Sequence, residues 1–400
     1  MLGKNKIPKP EARSARDVKT EAAAELTFTA APAADPLAAH KRPRRNAAFK
    51  IAFNVLFLLI SVSVIALIAS NEFGGSAADG SRAAFSEVYG VIKGRFGYLL
   101  VAVAMVAGLT LCDTLKILML SCETKEKISP FAAYKTGALG RYYDGITPLG
   151  SGGQPFQVHY LIKKGVKPGA ALSITFMNFF TQQLAYVIAA PVFLITLTVR
   201  GQTQAWTAAA MWIGYALFAA VPVLILCLTV REKAAMSIVN AALRLMKKMR
   251  LLKDYQKTSD KIRLSLGDYR EAARAVFRSP VTLTVAFMLS FAHFALYFGV
   301  PYMVMRTCGV ESSALGGLFS QMVAIFFTVS IVPSPGNSGA SEATFYYVFK
   351  GVLAGGFMFW GVLLWRLLTF YFLILQGLII TLAAAITKSV SAVRKETDQT

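Results

Sequence analysis

The chain has 400 residues, 55% hydrophobic and 16% charged, with apolar runs near the ~20 residues that a bilayer-spanning helix needs, which excludes a soluble domain. A formal net charge of +21 would suggest nucleic acid in a soluble protein. Here the basic residues lie between apolar runs, where topology and anionic lipid account for them, so no nucleic-acid binding is expected.

Residues 1–46, with Pro8, Pro10, an Ala-rich middle and "HKRPRR" at His40 to Arg45, read as a disordered basic cytoplasmic tail, too long and polar for a signal-peptide n-region. Apolar spans follow at about Ala47 to Ser70, Gly97 to Leu120, Ala170 to Val199, Ala205 to Val230, Pro280 to Met305 and Phe357 to Thr387. Two further segments, about 131–161 and 313–352, are apolar but interrupted. The polytopic domain is therefore 47–387, with a basic cytoplasmic connector at 231–279 and a C-terminal tail at 388–400.

Charge sets the orientation. The tail through Lys50 holds eleven Lys and Arg, and Arg231 to Arg278 holds thirteen against five Asp and Glu, whereas Asn71 to Phe96 has three of each sign. Both strongly basic segments belong in the cytoplasm, as do both termini of a cell-membrane protein. Threading the spans through that assignment makes the first interrupted segment enter and leave from the cytoplasmic side, and makes the second dip in from outside. In the connector, Met236, Val239, Leu243, Met246 and Met249 recur at spacings of three and four, with Arg244, Lys247, Lys248 and Arg250 mostly on another face. That pattern suits either a helix on an anionic inner leaflet or an ordinary charged linker.

The interruptions resemble each other. "DGITPLGSGGQPFQVHYL" and "SIVPSPGNSGASEATFYYVFKG" each place Ile two residues before Pro, then a Gly/Ser cluster, then an aromatic-rich exit. This weak inverted repeat predicts an all-α integral membrane protein: a polytopic helical bundle with two Pro/Gly-rich re-entrant segments. Broken helices in opposed halves recur in transporters, where half-helix ends face a substrate. Non-helical backbone at such depth must be buried in protein or line a wet cavity. Pro148, Gly152, Gly153, Gln154 and Gln157 in the first break, and Pro333, Pro335, Gly336 and Gly339 in the second, are thus candidate substrate contacts. The "GSGG" amides could form an anion-binding nest.

Charges inside spans are costly and rare, which adds Arg141, Asp144, Glu342 and Arg366. Glu342 and Arg366 read either as a structural pair or as a clamp on a lipid phosphate with its orienter. Asp113 and Lys116, three apart, read as an intrahelical pair. His293 reads as a hydrogen-bonded core histidine. No triad, HExxH, paired carboxylates or metal-ligand spacing stands out, and Cys112, Cys122, Cys227 and Cys308 form no CxxC pair, so no catalytic residue, cofactor or metal is expected.

The motifs "ITPLGSGGQPFQVHYLIKKG" and "VPSPGNSGASEATF", followed by "RLLTFYFLILQG", resemble the flippase-like membrane domain of the lysylphosphatidylglycerol synthases, or multiple peptide resistance factors, over about residues 50–387. The resemblance implies movement of aminoacylated phosphatidylglycerol between leaflets, with a separate cytosolic domain that transfers lysine to the lipid. Only thirteen residues follow Thr387, so that domain is expected to be absent. Many relatives carry an acidic residue and an arginine around the first motif's later proline, where this chain has Gln154, Pro155, Phe156 and Gln157. Glu342 and Arg366 fall on the second motif and its following helix. The expectation is a translocase for an anionic, aminoacylated or polyprenyl-linked lipid, with membrane phospholipids as its partners. Alternatives are a membrane part that serves a separate aminoacyltransferase in lysyl-phosphatidylglycerol synthesis and cationic peptide resistance, an ion-coupled small-solute carrier, and a scaffold.

Overall fold

The computed structural model describes residue 63 and, within 85–383, all residues but 148, 149, 151, 202, 204, 232–235, 238, 239, 242, 245–254, 312–314 and 354–356. The described elements are all helical. They are α1 (Phe85–Gly94), α2 (Phe96–Glu123), α3 (Pro130–Gly145), α4 (Gly153–Lys163), α5 (Pro168–Val199), α6 (Ala205–Val230), α7 (Tyr255–Arg278), α8 (Pro280–Thr307), α9 (Leu315–Val329), α10 (Ala340–Phe349) and α11 (Phe357–Ala383). Among them α2, α5, α6, α8 and α11 are long and apolar enough to cross a membrane, which makes the chain an all-α multi-pass membrane protein. They match five of the six expected spans. The expected first span and both tails lie outside the described residues.

Local sequence explains where these helices start. Pro130, Pro168 and Pro280 each open a helix at a position where the missing N–H costs nothing, and Ser129 caps α3 by accepting from the Ala132 amide at 3.2 Å. Large apolar side chains such as Leu100, Leu111, Val192, Leu217, Val223, Met288 and Ile379 are each more than half exposed. An outer surface of this kind is stable only when lipid covers it.

The α2 and α8 helices pack antiparallel along their length. At one end Thr282 Oγ1 donates to Glu123 at 2.7 Å, and at the other Arg306 donates to the Tyr98 hydroxyl at 3.1 Å and lies over its ring. Glycines let the two approach closely: a Cβ at Gly108 would meet Leu296, and one at Gly299 would meet Met105.

Each half then carries a helical hairpin. The arms α3, α4, α9 and α10 have 16, 11, 15 and 10 residues. At 1.5 Å per residue that is roughly 15–24 Å each, short of the ~30 Å hydrocarbon thickness. The arms fold back on each other. In the first hairpin, Gln157 Nε2 donates to the Thr136 carbonyl at 3.2 Å, and Phe156 stacks on Tyr143 with centroids 3.4 Å apart. Its open end lies where α2 ends and α5 begins, whereas the second opens where α8 ends and α11 begins. Because α2 and α8 are antiparallel, the two hairpins open at opposite ends of the bundle.

The core has two parts. One surrounds Tyr186, Phe294, Phe298, Phe327 and Phe345; the other, around Ile117, Leu161, Ile174 and Tyr269, lies under α7. Arg270 of α7 donates to the Thr229 and Val230 carbonyls at 3.0 Å each, capping the end of α6. The neighbouring Tyr269 hydroxyl shares a 2.9 Å hydrogen bond with Thr229, and burial pushes its phenol pKa up. In the connector's expected amphipathic stretch, residues 236, 237, 240, 241, 243 and 244 are helical, Leu243 is buried and Arg244 is exposed. The rest of that stretch lies outside the described residues.

Candidate functional site

The second helix break is built by its prolines and glycines. Pro333 and Pro335 remove two backbone donors, a short 3-10 turn spans Pro335–Asn337, and Gly336 and Gly339 take φ of 57° and 83°, which L side chains rarely adopt. Glu342 then closes the start of α10: one carboxylate oxygen accepts from the Gly339 amide at 2.8 Å, and the other takes Arg366 Nε at 2.7 Å. The Glu342 side chain is 0% exposed and that of Arg366 5%. Nη2 of Arg366 donates to the Gly336 carbonyl at 3.3 Å, so this one arginine ties α11 to both the break and the restart of the hairpin.

The arginine sits on an irregular turn. Immediately after it, Leu367–Tyr371 winds as π-helix, and Phe370 from that turn lies 4.7 Å beneath the guanidinium. The same ring lies against Gly336, where a Cβ would collide with it, and close to Gly145 at the end of α3. Phe370 therefore touches both hairpin tips.

The first break is organised by side chains. Asp144 Oδ1 accepts from the Gly153 amide at 2.7 Å and caps α4, while Thr147 Oγ1 accepts from Gly152 at 2.9 Å and donates to the Tyr143 carbonyl at 2.7 Å. The Gly152 and Gly153 amides, read from the sequence as an anion nest, are therefore already used by their own loop. Pro148 lies outside the described residues.

Both tips line one cavity of about 640 Å³, in which Asp144, Gly145 and Gly150 from the first face Ser330, Gly336 and Asn337 from the second. Arg366 is in its wall, beside apolar Phe218, Tyr297 and Met322. Its Nε and Nη2 are bonded to Glu342 and Gly336, and its Nη1 makes no hydrogen bond to the described residues. Leu217 also lines the cavity although it is 60% exposed in the middle of α6, which opens the cavity through the side of the bundle.

A smaller cavity of about 330 Å³ adjoins the first across Asp144, Gln183, Tyr297 and Phe370. Gln154 lines it. So does Arg141, which turns away from the larger cavity to pair with Asp113 and to donate to Thr110 Oγ1 at 3.2 Å. The expected Asp113–Lys116 pair is present at 3.4 Å, but it is one edge of a larger network. The fully buried Lys116 ammonium donates to Gln182 Oε1, Gln182 Nε2 lies 2.9 Å from His293 Nδ1, and His293 Nε2 lies 3.8 Å from Asp113.

Of the residues singled out in the sequence, Asp144, Gly336 and Arg366 line the larger cavity, and Glu342 is buried behind Arg366. Gln157 is spent inside the hairpin and Pro333 is exposed. Asn178, Gln182 and Gln183 were missed, although "NFFTQQ" breaks the apolar run of its span. Among the described residues, no group of His, Cys, Asp and Glu is arranged to hold a metal ion.

Two similarities bear on this site. The family model described as lysylphosphatidylglycerol synthase TM region matches residues 52–377. A "UPF0104 membrane protein" of Archaeoglobus fulgidus is 28% identical over 299 residues, covering 73% of this chain and 88% of that protein.

Proposed function

This chain belongs to the lysylphosphatidylglycerol synthase transmembrane-region family, and from that premise we propose that it is a lipid translocase that carries the head group of an anionic, aminoacylated or polyprenyl-linked lipid between leaflets. The observation that carries this reading is the meeting of two opposed helix breaks at one cavity that has an arginine in its wall and a side opening. About 640 Å³ suits a head group rather than two acyl chains, and falls within the ~300–1,000 Å³ typical of small-ligand sites. The chains would remain in the bilayer and pass the opening at Leu217.

In this mechanism Arg366 Nη1 donates to an oxygen of the lipid phosphate. Glu342 fixes the guanidinium through Nε and compensates its charge when no lipid is bound, which lets an arginine persist at this depth. The second Asp144 oxygen supplies an acceptor for a hydroxyl or ammonium of the head group. The hairpins enter from opposite leaflets as re-entrant segments, with the basic α7 end at the cytoplasmic face of the cell membrane and anionic lipid against the connector.

The test is leaflet exchange in proteoliposomes. Tail-labelled phosphatidylglycerol, its aminoacylated form and a polyprenyl phosphate are each quenched from outside by an impermeant reagent. The expected result is that at least one loses more than the outer-leaflet half of its signal, and that Arg366→Met restores the protein-free level. Protein-free kinetics for all three lipids with the unmodified chain would refute the proposal.

A further inference from the structure

Lipid recognition in the larger cavity gives no task to the buried cluster beside it. Asp113 and Lys116 on α2, Arg141 on α3 and His293 on α8 sit together at a depth where ionisable groups are costly and generally tied to function. The partners facing His293 are well defined. From α2 come Asp113 and Lys116, from α3 Arg141, from α5 Gln182 and the Tyr186 hydroxyl at 3.2 Å, and from its own helix Tyr297, stacked 6.4 Å away. From α11 the nearest charge is Arg366, which Glu342 holds.

Hydrogen-bond polarity fixes the state of the histidine. Lys116 has only donors, so Gln182 must present Oε1 to it, and the Gln182 amide nitrogen is then the atom that faces His293 Nδ1. That nitrogen is a donor, which makes Nδ1 an acceptor and places the ring proton on Nε2, toward Asp113. A proton added to the Nδ1 lone pair forms an N–H bond, breaks none and leaves the ring with a charge of +1. It also converts the acceptor into a donor that the Gln182 amide nitrogen cannot meet. Two acceptors are in reach of that N–H: the Tyr186 hydroxyl, and Gln182 Oε1 if the amide turns; in the turned state Lys116 loses its Gln182 acceptor. Lys116 falls back on Asp113, which is the partner that holds Arg141 of the first hairpin.

We infer that His293, with Gln182 and Lys116, is a proton-binding site whose occupancy is coupled to the position of the first hairpin, so that protons serve as the coupling ion for lipid movement. The second half of this inference rests on the translocase reading. Water has room beside this cluster: Arg141 Nε and Asn178 Oδ1, two buried atoms without a hydrogen-bond partner, lie on residues lining the smaller cavity, which adjoins the larger one.

Two measurements separate the halves. Proton uptake by the purified chain, followed from pH 8 down to 3 in weak buffer, is expected to be lower in His293→Gln by up to about one proton per chain. In proteoliposomes with the membrane potential clamped, a gradient of about one pH unit is expected to sustain up to a tenfold leaflet asymmetry if one proton accompanies each lipid. His293→Gln should bring that ratio to about one while exchange continues. Gln182→Leu, which keeps the ring but cuts its link to Lys116, should retain the proton uptake and lose the asymmetry; unchanged melting of both variants confirms folding. Equal uptake in the unmodified chain and His293→Gln, or an asymmetry indifferent to the gradient, would overturn the inference. If the uptake difference stands but no lipid moves at all, the proton site holds and the translocase reading falls.

Discussion

Replacing Arg366 with Met strands the Glu342 carboxylate, which is 0% exposed and would lose its cationic partner while keeping the Gly339 amide. Removing one member of a buried ion pair costs about 3–5 kcal/mol, because the remaining charge is uncompensated. Glu342→Leu leaves Arg366 with the Gly336 carbonyl and a cavity that admits water, so its cost should lie at the lower end of that range. The double variant loses both charges together. It forfeits mainly the bonds to the Gly339 amide and the Gly336 carbonyl, at roughly 1 kcal/mol each. The double change should therefore cost about 2 kcal/mol, less than either single change and far less than their sum. Reversible unfolding in mixed detergent micelles measures all four corners of the cycle. A coupling above about 2 kcal/mol, with Arg366→Met the worst variant, is the expected outcome. Additivity within about 0.5 kcal/mol would show that the two side chains are not energetically paired and would refute the reasoning.

Three further changes probe the surrounding frame. Gly336→Ala imposes a left-handed backbone on a residue with a Cβ, at about 1–2 kcal/mol, and drives that Cβ into Phe370; a fall in melting temperature with loss of exchange is expected. Asp144→Ala removes the cap on α4, at about 0.5–2 kcal/mol, whereas Asp144→Asn keeps an acceptor for the Gly153 amide, so the alanine variant should melt lower in the same assay. Gly214→Leu forces α6 off the Phe327 carbonyl of α9, and overpacking of this kind costs about 1–3 kcal/mol. Because both helices line the larger cavity, altered exchange rates should accompany that loss of stability.

Much of this architecture was legible because membranes impose simple rules. Long apolar runs marked α2, α5, α6, α8 and α11, and the prolines and glycines of "VPSPGNSGAS" marked a break that has the left-handed Gly336 and Gly339 at its heart. Glu342 and Arg366 stood out because charges are so unusual in such runs. The first break was harder to read. Its glycine amides looked available, but Asp144 and Thr147 are placed to occupy them only once the chain has turned, nine and five residues apart respectively. The Asp113 network was the least visible part. Asp113 and Lys116 share a helix and a short spacing, whereas their decisive partners, Arg141, Gln182 and His293, come from three other helices. Glutamines in an apolar span carry no charge to draw notice, and only tertiary packing shows that Gln182 joins a lysine to a histidine.

The most direct test of lipid translocation through the larger cavity is a structure of the protein in nanodiscs of anionic lipid, at a resolution that separates head groups from water. A phosphate is expected at about 2.7–2.9 Å from Arg366 Nη1, with acyl chains leaving past Leu217. Lipids confined to the outer surface, with the Arg366 guanidinium bonded only to Glu342 and Gly336, would contradict it.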